Sequence, residues 1–176
     1  MQPFPSAPFT VPTYSNAPQT RHSGFEVGLS YQLPGALLVH GDVTDHASLR
    51  TSYTLARYTY VEDSSYRGND IPGAPYQVLS TELRYTHPSG FSLIPSVEWV
   101  PQAYFLDSQN TVKNDGWTNA SLRAEFATSS GINLFVAGQN LTTGRFSQSV
   151  QVDNAAGRWF EPADGRSFYA GLRWAH

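Results

Sequence analysis

The sequence has no cysteine and a single lysine, Lys113, among its 176 residues. The absence of cysteine excludes a disulfide framework, a thiolate zinc site and a cysteine nucleophile. Charged residues make up 14% of the chain, against about 25% in a typical soluble domain. The formal net charge is −3, and so few basic residues form no surface that neutralises a run of phosphates. We therefore expect no nucleic-acid partner.

Long hydrophobic runs are also absent. No stretch approaches the roughly 18 consecutive apolar residues of a membrane-spanning helix, and the mean hydropathy is −0.36. An alternating β-barrel has the same flat hydropathy profile. The residues after Met1, QPFPSAPFTVP, contain neither the basic nor the apolar region of a signal peptide. We expect either a cytoplasmic protein or a chain that does not begin where its gene product begins.

The apolar residues recur at every second position through most of the chain, which is typical of β-strands. In the clearest run, Phe25, Val27 and Leu29 alternate with polar or small residues. Pro95 and Pro101 predict a bulge or an edge position for the fourth strand. The pattern predicts an all-β fold, an antiparallel up-and-down meander of about seven or eight strands. The predicted strands span about 24–33, 48–62, 76–87, 91–106, 117–128, 132–141 and 166–176.

The connections between these strands alternate in length. Residues 88–90 and 129–131 form short turns, whereas 63–75, 107–116 and 142–165 form long polar loops. Such alternation is typical of outer-membrane barrels, whose strands run between two unlike sides. Segment 34–46 is the exception, because it is too long for the short-turn side. A soluble meander or sandwich also alternates, and it stays as the alternative.

Charged residues on the strands fall on the polar side of the alternation. In a barrel this side lines the lumen, where we expect the charges to pair with each other or with a plug. No motif pairs a nucleophile with a base, so we predict no catalytic residue. One compact group of histidines and carboxylates occurs in a connection, and we interpret it as a solvated loop without a metal or cofactor. The charges are Glu26, Glu82, Glu98, Glu125, Arg84, Arg123 and Arg173, and the compact group is His40, Asp42, Asp45 and His46.

Several runs resemble the C-terminal part of the barrel domain of TonB-dependent outer-membrane receptors. In chain order, they include Gly24-Phe25-Glu26-Val27-Gly28-Leu29, Tyr58-Thr59-Tyr60, Gly68–Pro75, Glu82-Leu83-Arg84-Tyr85, Glu98-Trp99-Val100-Pro101, Asn140-Leu141-Thr142 and Gly165–Trp174. The resemblance implies a barrel of about 22 strands with a plugged lumen. It divides the chain into an irregular segment, 1–23, with at most part of a strand, and a transmembrane barrel segment, 24–176.

The same resemblance implies a function. It implies a transport protein and not an enzyme, located in the bacterial outer membrane and taking up iron chelates (siderophores) or similar nutrients. The implied partners are membrane lipid, the plug and other strands of the receptor, TonB through them, and an iron–siderophore ligand. Because unpaired strand edges leave backbone groups unsatisfied in lipid, we expect an isolated chain to form an open or imperfectly closed curved sheet. A self-contained small β-barrel or sandwich that binds a ligand, and a gene remnant, stay as alternatives.

The aromatic residues suggest two roles. Those near predicted strand ends fit an interfacial girdle, in which amphipathic rings lie at the membrane surface. Others lie in long loops, where the family gathers ligand. The predicted girdle residues are Trp99, Tyr104, Phe105, Trp117, Phe168 and Trp174, and the predicted ligand-capture residues are Tyr66, Trp159 and Phe160.

Overall fold

In the computed structural model, the chain is described for residues 19–150 and 160–174, and these residues form strands and no helix. The eleven strands are β1 Thr20–Gln32, β2 His46–Tyr60, β3 Gln77–Thr86, β4 Phe91–Val100, β5 Tyr104–Phe105, β6 Lys113–Asn114, β7 Trp117–Ala127, β8 Ile132–Gln139, β9 Ser147–Val150, β10 Phe160–Pro162 and β11 Ser167–Trp174. No helix in this part of the chain is long and apolar enough to cross a membrane.

Seven strands form one antiparallel sheet in the order β1-β2-β3-β4-β7-β8-β11. The four short strands form two ribbons, β5 with β6 and β9 with β10, inside the connections that follow β4 and β8. Each long strand therefore pairs with the next long strand along the chain. The predicted all-β up-and-down meander is confirmed. The sheet is open, because within the described residues β1 and β11 each pair on one side only.

The register places the alternating apolar residues on one side of the sheet. Phe25 lies opposite Leu55, Leu79 opposite Trp99, and so on across the strands. We call this side the apolar face and the other side the polar face. Most apolar-face side chains are exposed, and Leu172 is 65% exposed. The apolar face includes Phe25, Val27, Leu29, Tyr31, Ala47, Leu49, Tyr53, Leu55, Leu79, Leu83, Tyr85, Phe91, Leu93, Val97, Trp99, Leu122, Ala124, Phe126, Ile132, Leu134, Val136, Phe168, Ala170, Leu172 and Trp174.

The two ends of the sheet differ. One end, the turn end, carries the connections 33–45, 87–90 and 128–131. The other, the loop end, carries 61–76, 101–116 and 140–166. The two tight reversals are closed by hydrogen bonds from His87 N to Phe91 O and from Thr128 N to Ile132 O, both 2.8 Å. Gly90 and Gly131 have φ of 90° and 81°, conformations that favour glycine.

Some predicted strand boundaries were wrong. β1 begins at Thr20, before the predicted Gly24, and β4 ends at Val100 although the predicted strand continues to Leu106. Pro101 has no N–H to donate to a ladder, and the chain leaves the sheet there. Residues 104–105 then pair with 113–114 in the small ribbon. Apolar alternation therefore continues past the end of the sheet into a separate structure.

Pro95 lies in an internal strand and forms no bulge, so both positions predicted for it were wrong. The β3–β4 register is the same on either side of it, with Glu82 opposite Ser96 and Tyr85 opposite Leu93. The ladder to β3 is interrupted around Pro95, since proline donates no hydrogen bond. The ladder to β7 runs through it, with Pro95 opposite Leu122. The pairing with β7 therefore continues through Pro95, and β4 keeps one register on both sides of it.

Candidate functional site at the loop end

A small hydrophobic cluster lies at the loop end of the sheet. Val100, Tyr104 and Leu106 are buried and form what we call the loop core. Partly buried side chains from several elements pack against it, namely Val78, Val112, Trp117 and Val150. Burial of this apolar surface orders a connection that would otherwise be a long polar loop.

Paired hydrogen bonds join the first two loop-end connections. Asp70 N donates to Asn110 Oδ1 at 2.8 Å, and Asn110 Nδ2 donates to Asp70 O at 2.9 Å. Asp70 also accepts hydrogen bonds from Arg57 Nε at 3.0 Å and from the Tyr76 hydroxyl at 2.6 Å. Burial and this hydrogen bond to Asp70 raise the pKa of Tyr76 to about 12. The connections 61–76 and 101–116 therefore form one structured unit.

Asp107 organises the turn of the small ribbon from inside. Its carboxylate accepts hydrogen bonds from Thr111 N at 2.9 Å, Val112 N at 2.8 Å and the Thr111 hydroxyl at 2.6 Å. Burial acts to raise the pKa of Asp107, but the hydrogen bonds from Thr111 and Val112 outweigh it and lower the pKa. The charged form is therefore the one that holds the turn.

Asn140 closes the start of the third loop-end connection. Its Oδ1 accepts from Gly144 N at 2.9 Å, and its Nδ2 donates to Gly144 O and Asp164 O, both at 3.0 Å. The Thr142 hydroxyl donates to Thr118 O at 2.6 Å, which ties the same turn to β7. These bonds bring the two described parts of the connection together.

A recess of about 540 Å³ opens between those two parts. Two guanidinium groups, Arg145 and Arg166, line it together with the rings of Phe146 and Phe160. None of its described lining residues carries a carboxylate, and Arg145 forms no ion pair within the described ranges. Arginine binds carboxylate and phosphate oxygens through a planar set of donors, and ligand pockets are commonly lined by apolar and aromatic side chains. The recess is chemically suited to an anion with an aromatic or apolar part.

The predicted ligand-capture residues are not grouped. Phe160 is exposed and lines the recess. Tyr66 is half-buried in the first connection, with its ring centroid 5.8 Å from that of Tyr60, and it does not line the recess. Trp159 lies outside the described residues. The prediction missed Arg145, Arg166 and Phe146, although the two arginines flank the long polar stretch and are visible in the sequence.

The predicted girdle residues divide in the same way. Trp99 and Trp174 are exposed on the apolar face, at the loop end and the turn end respectively. Tyr104 is buried in the loop core, and Trp117 packs against that core and stacks on Phe146. Neither ring lies on the apolar face, so their girdle assignment is corrected. Tyr104 lies beyond the point at which the chain leaves the sheet at Pro101, and Trp117 lies on the other side of the sheet from Trp99 because its neighbour Thr118 is the residue opposite Trp99.

Some charged side chains on the polar face pair with each other, as predicted, both between strands and within β7. Arg84 contacts Glu125 at 3.2 Å, and Arg123 contacts the same carboxylate at 2.5 Å. The Arg123 guanidinium lies 4.0 Å from the ring centroid of Phe135. Farther along the same face, Glu82 and Glu98 line a polar groove together with Arg50, Asn119 and Ser121. This face carries polar and charged side chains, whereas the opposite face is apolar.

The compact acidic and histidine group is not a solvated loop throughout. Asp45 is fully buried and accepts hydrogen bonds from Leu37 N at 2.7 Å, Leu38 N at 2.9 Å and the Tyr85 hydroxyl at 2.8 Å. Its oxygens are thus committed to the protein itself. Within the ranges 19–150 and 160–174, no group of three or more His, Asp or Glu side chains is placed to hold a metal ion.

The family model described as TonB dependent receptor-like, beta-barrel, matches residues 2–141. The chain belongs to the TonB-dependent receptor family. The resemblance carried by the sequence runs is confirmed, and the family is one of receptors and transporters.

A solved receptor structure has a similar fold over part of its length. The chain superposes on the ferric yersiniabactin uptake receptor FyuA from Yersinia pestis with a TM-score of 0.68, at 17% identity and over 91% of this chain. At that identity, the likeness concerns the fold. The chain spans 24% of the length of that receptor, and its open sheet corresponds to part of a receptor barrel.

Proposed function

We propose that this chain is the C-terminal part of a TonB-dependent receptor barrel in the bacterial outer membrane, where it takes part in the uptake of iron chelates or similar nutrients. The observation that carries the proposal is the exposed apolar face. From Phe91 to Trp99 it extends about 26 Å along β4 at about 3.3 Å per residue. A strand tilt of about 40° reduces this to about 20 Å, close to the apolar band of about 25 Å in outer-membrane barrels.

The apolar face ends before β1 and β2 reach the loop end, as expected for strands that leave the hydrocarbon of a membrane. On β1 and β2 the face changes from Phe25 and Leu55 to Ser23 and Arg57 on moving toward the loop end. Arg57 forms an ion pair with Asp70, a residue of the first loop-end connection. Polar side chains at this level support a placement in which β1 and β2 extend beyond the hydrocarbon into water.

The open edges support a partnership with further strands. β1 and β11 each have an edge without a partner in the described part of the chain. In lipid, each unsatisfied backbone group costs several kcal/mol, so a spanning sheet must be closed. We infer that other strands of the receptor complete the barrel, that a plug lies against the polar face, and that TonB acts through the plug.

Neighbouring positions on β1 provide a test of the membrane placement. This chain lacks cysteine, and the receptor whose barrel it helps to close is reconstituted in vesicles with Leu29→Cys or Ser30→Cys in this chain, each labelled with a fluorophore. Leu29 lies on the apolar face and Ser30 on the polar face. We expect brominated lipid to quench the probe at 29 and to have little effect at 30. Equal quenching by a water-soluble quencher at both positions would favour a free-standing soluble protein or a gene remnant.

The recess supports an anionic, aromatic iron chelate as the ligand class. The probe is a ferric catecholate complex, and binding is measured by quenching of intrinsic fluorescence. We expect Arg145→Ala to weaken binding and Arg67→Ala, a change at an exposed arginine of the first connection, to leave it unchanged. Equal binding by both variants would remove the recess from the proposal and leave the membrane placement standing.

A further inference from the structure

The connection 33–45 is long for the turn end, yet it is ordered around one carboxylate. Ala36 N donates to Asp45 O at 3.1 Å, and the Asp45 side chain accepts hydrogen bonds from Leu37 N and Leu38 N. Burial acts to raise the pKa of Asp45, but hydrogen bonds from Tyr85 and from the backbone outweigh it, so the pKa is lowered. The charged carboxylate therefore holds the connection in one shape.

This connection lies against the end of the apolar face. Asp45 is bound by the hydroxyl of Tyr85, and Tyr85 lies opposite Ala47 and Leu93 on that face. Ala47 is 3% exposed, whereas most side chains of the apolar face are exposed. The carboxylate thus draws residues 37 and 38 toward the apolar side of the sheet rather than the polar side.

Held in this way, the connection presents apolar side chains outward. Leu38 is 75% exposed and Val43 is 67% exposed, and Leu37 is also exposed. Tyr31, an exposed residue of the apolar face, lies at the same end. Apolar side chains this exposed, next to a larger apolar surface, mark an interaction site. Tyrosines at this level are typical of the boundary between hydrocarbon and headgroups.

We propose that connection 33–45 is a lipid anchor, which inserts Leu38 and Val43 into the phospholipid layer at the turn end of the barrel. The inference rests on the proposed function, because it requires the apolar face to lie in a bilayer. The hydrogen bond from the Tyr85 hydroxyl to Asp45 joins the connection that carries the anchor to the apolar face. It differs from the short turns 87–90 and 128–131, which simply reverse the chain.

The charges of the segment specify the kind of lipid. Residues 33–45 contain no lysine or arginine, and their acidic residues are the exposed Asp42 and the buried Asp45. A surface without lysine or arginine lacks the side chains that bind anionic headgroups. The anchor therefore suits a zwitterionic phospholipid, and its binding depends on apolar burial, at about 25 cal/mol per Å².

The test compares four labelled positions of this chain in the receptor, with the other strands of its barrel present, reconstituted in phosphatidylcholine vesicles. Leu38→Cys and Val43→Cys report on the anchor, Leu29→Cys reports on the apolar face, and Ser89→Cys marks an exposed tight turn at the same end. We expect lipid-attached quencher to act more strongly than aqueous iodide at 29, 38 and 43. At position 89 we expect aqueous iodide to quench more strongly than the lipid-attached quencher.

The outcomes separate the anchor from the proposed function. If the probe at 29 is quenched by lipid while 38 and 43 behave like 89, the anchor is wrong and the membrane placement stands. If 38 and 43 are protected from both quenchers, a protein surface covers them and the anchor is again wrong. If 29 is quenched by iodide alone, both inferences are overturned.

A second variant tests the role of the carboxylate. Asp45→Ala removes the acceptor of the Leu37 and Leu38 hydrogen bonds and leaves the apolar side chains in place. We expect the lipid quenching at 38 to fall toward the value at 89, while the quenching at 29 is unchanged. Unchanged quenching at 38 would contradict the proposal that Asp45 holds the anchor against the membrane.

Discussion

Trp117 and Phe146 stack nearly face to face, with ring centroids 4.0 Å apart and ring planes 14° apart. Trp117 begins β7, and Phe146 belongs to the connection that leads to β11. Because the indole also packs against the loop core, it links the second loop-end connection to the third. Arg145, next to Phe146, is thereby placed beside the recess.

Loss of this stack is expected to loosen the third connection. Phe146→Ala removes the ring that packs on Trp117, and an aromatic pair contributes about 0.5–1.5 kcal/mol beyond its buried area. We expect trypsin to cleave after Arg145 faster in this variant, whereas cleavage after Arg67, in the first connection, keeps its rate. Peptide mapping of a time course measures both. Phe105→Ala, in the separate ribbon, is the matched control, and an equal effect there would contradict the assignment.

The turn at Asp107 is expected to be sensitive to acid. The pKa of Asp107 is lowered in the folded chain, so its contribution to stability is complete above its ordinary pKa of 3.8 and is lost as the pH falls through the lowered value. Protection of Val112 N against hydrogen exchange, corrected for the intrinsic rate, is expected to fall in that range. Asp107→Asn is expected to remove the pH dependence at Val112. The same dependence in both proteins would refute this account.

Two glycines with similar φ angles are expected to differ in their tolerance of alanine. Gly90 has φ of 90° and Gly68 has φ of 86°. A Cβ at Gly90 would lie 2.1 Å from Ala127 O, whereas one at Gly68 meets nothing within 4 Å. Gly68→Ala is therefore expected to cost about 1–2 kcal/mol, the cost of the left-handed conformation. Gly90→Ala is expected to cost clearly more, as measured by urea unfolding, and equal costs would be inconsistent with the clash.

The ion pairs on the polar face are expected to contribute little in water. The side chains of Arg84, Arg123 and Glu125 are 44%, 42% and 29% exposed, and pairs exposed to this degree contribute about 0–1 kcal/mol. We expect Glu125→Gln to lower the free energy of unfolding by no more than about 1 kcal/mol, and this loss to shrink at high salt. Glu26→Gln, on the same face of β1, is the control. A large loss that salt does not change would mean that the polar face is closed to water.

The strands were predictable where the side chains alternate without interruption. In β1, Phe25, Val27 and Leu29 lie on one face because successive side chains in any strand point to opposite sides. The long and short connections were predictable from clusters of turn residues. The end of β4 was not, since the alternation continues through Phe105 although Pro101 has already taken the chain out of the sheet.

The site was predictable only in part. Phe160 was expected in a ligand-gathering loop and does line the recess. Arg145 and Arg166 become neighbours in the recess because Asn140 hydrogen-bonds to residues on both described parts of the connection. That contact joins residues far apart in sequence, and no local period indicates it.

Local sequence patterns and tertiary packing thus determine different features of this protein. The order of residues already specified an all-β chain with an apolar face, a polar face and two unlike ends, because alternation and turn chemistry are local properties. The burial of the loop-end aromatic residues depended on the folded chain, because alternation places Trp99 on the apolar face and Trp117 on the other side of the sheet but does not show which of them is covered by a connection. Pairing across strands exposes Trp99 on the apolar face, whereas packing of the 101–116 connection covers Trp117.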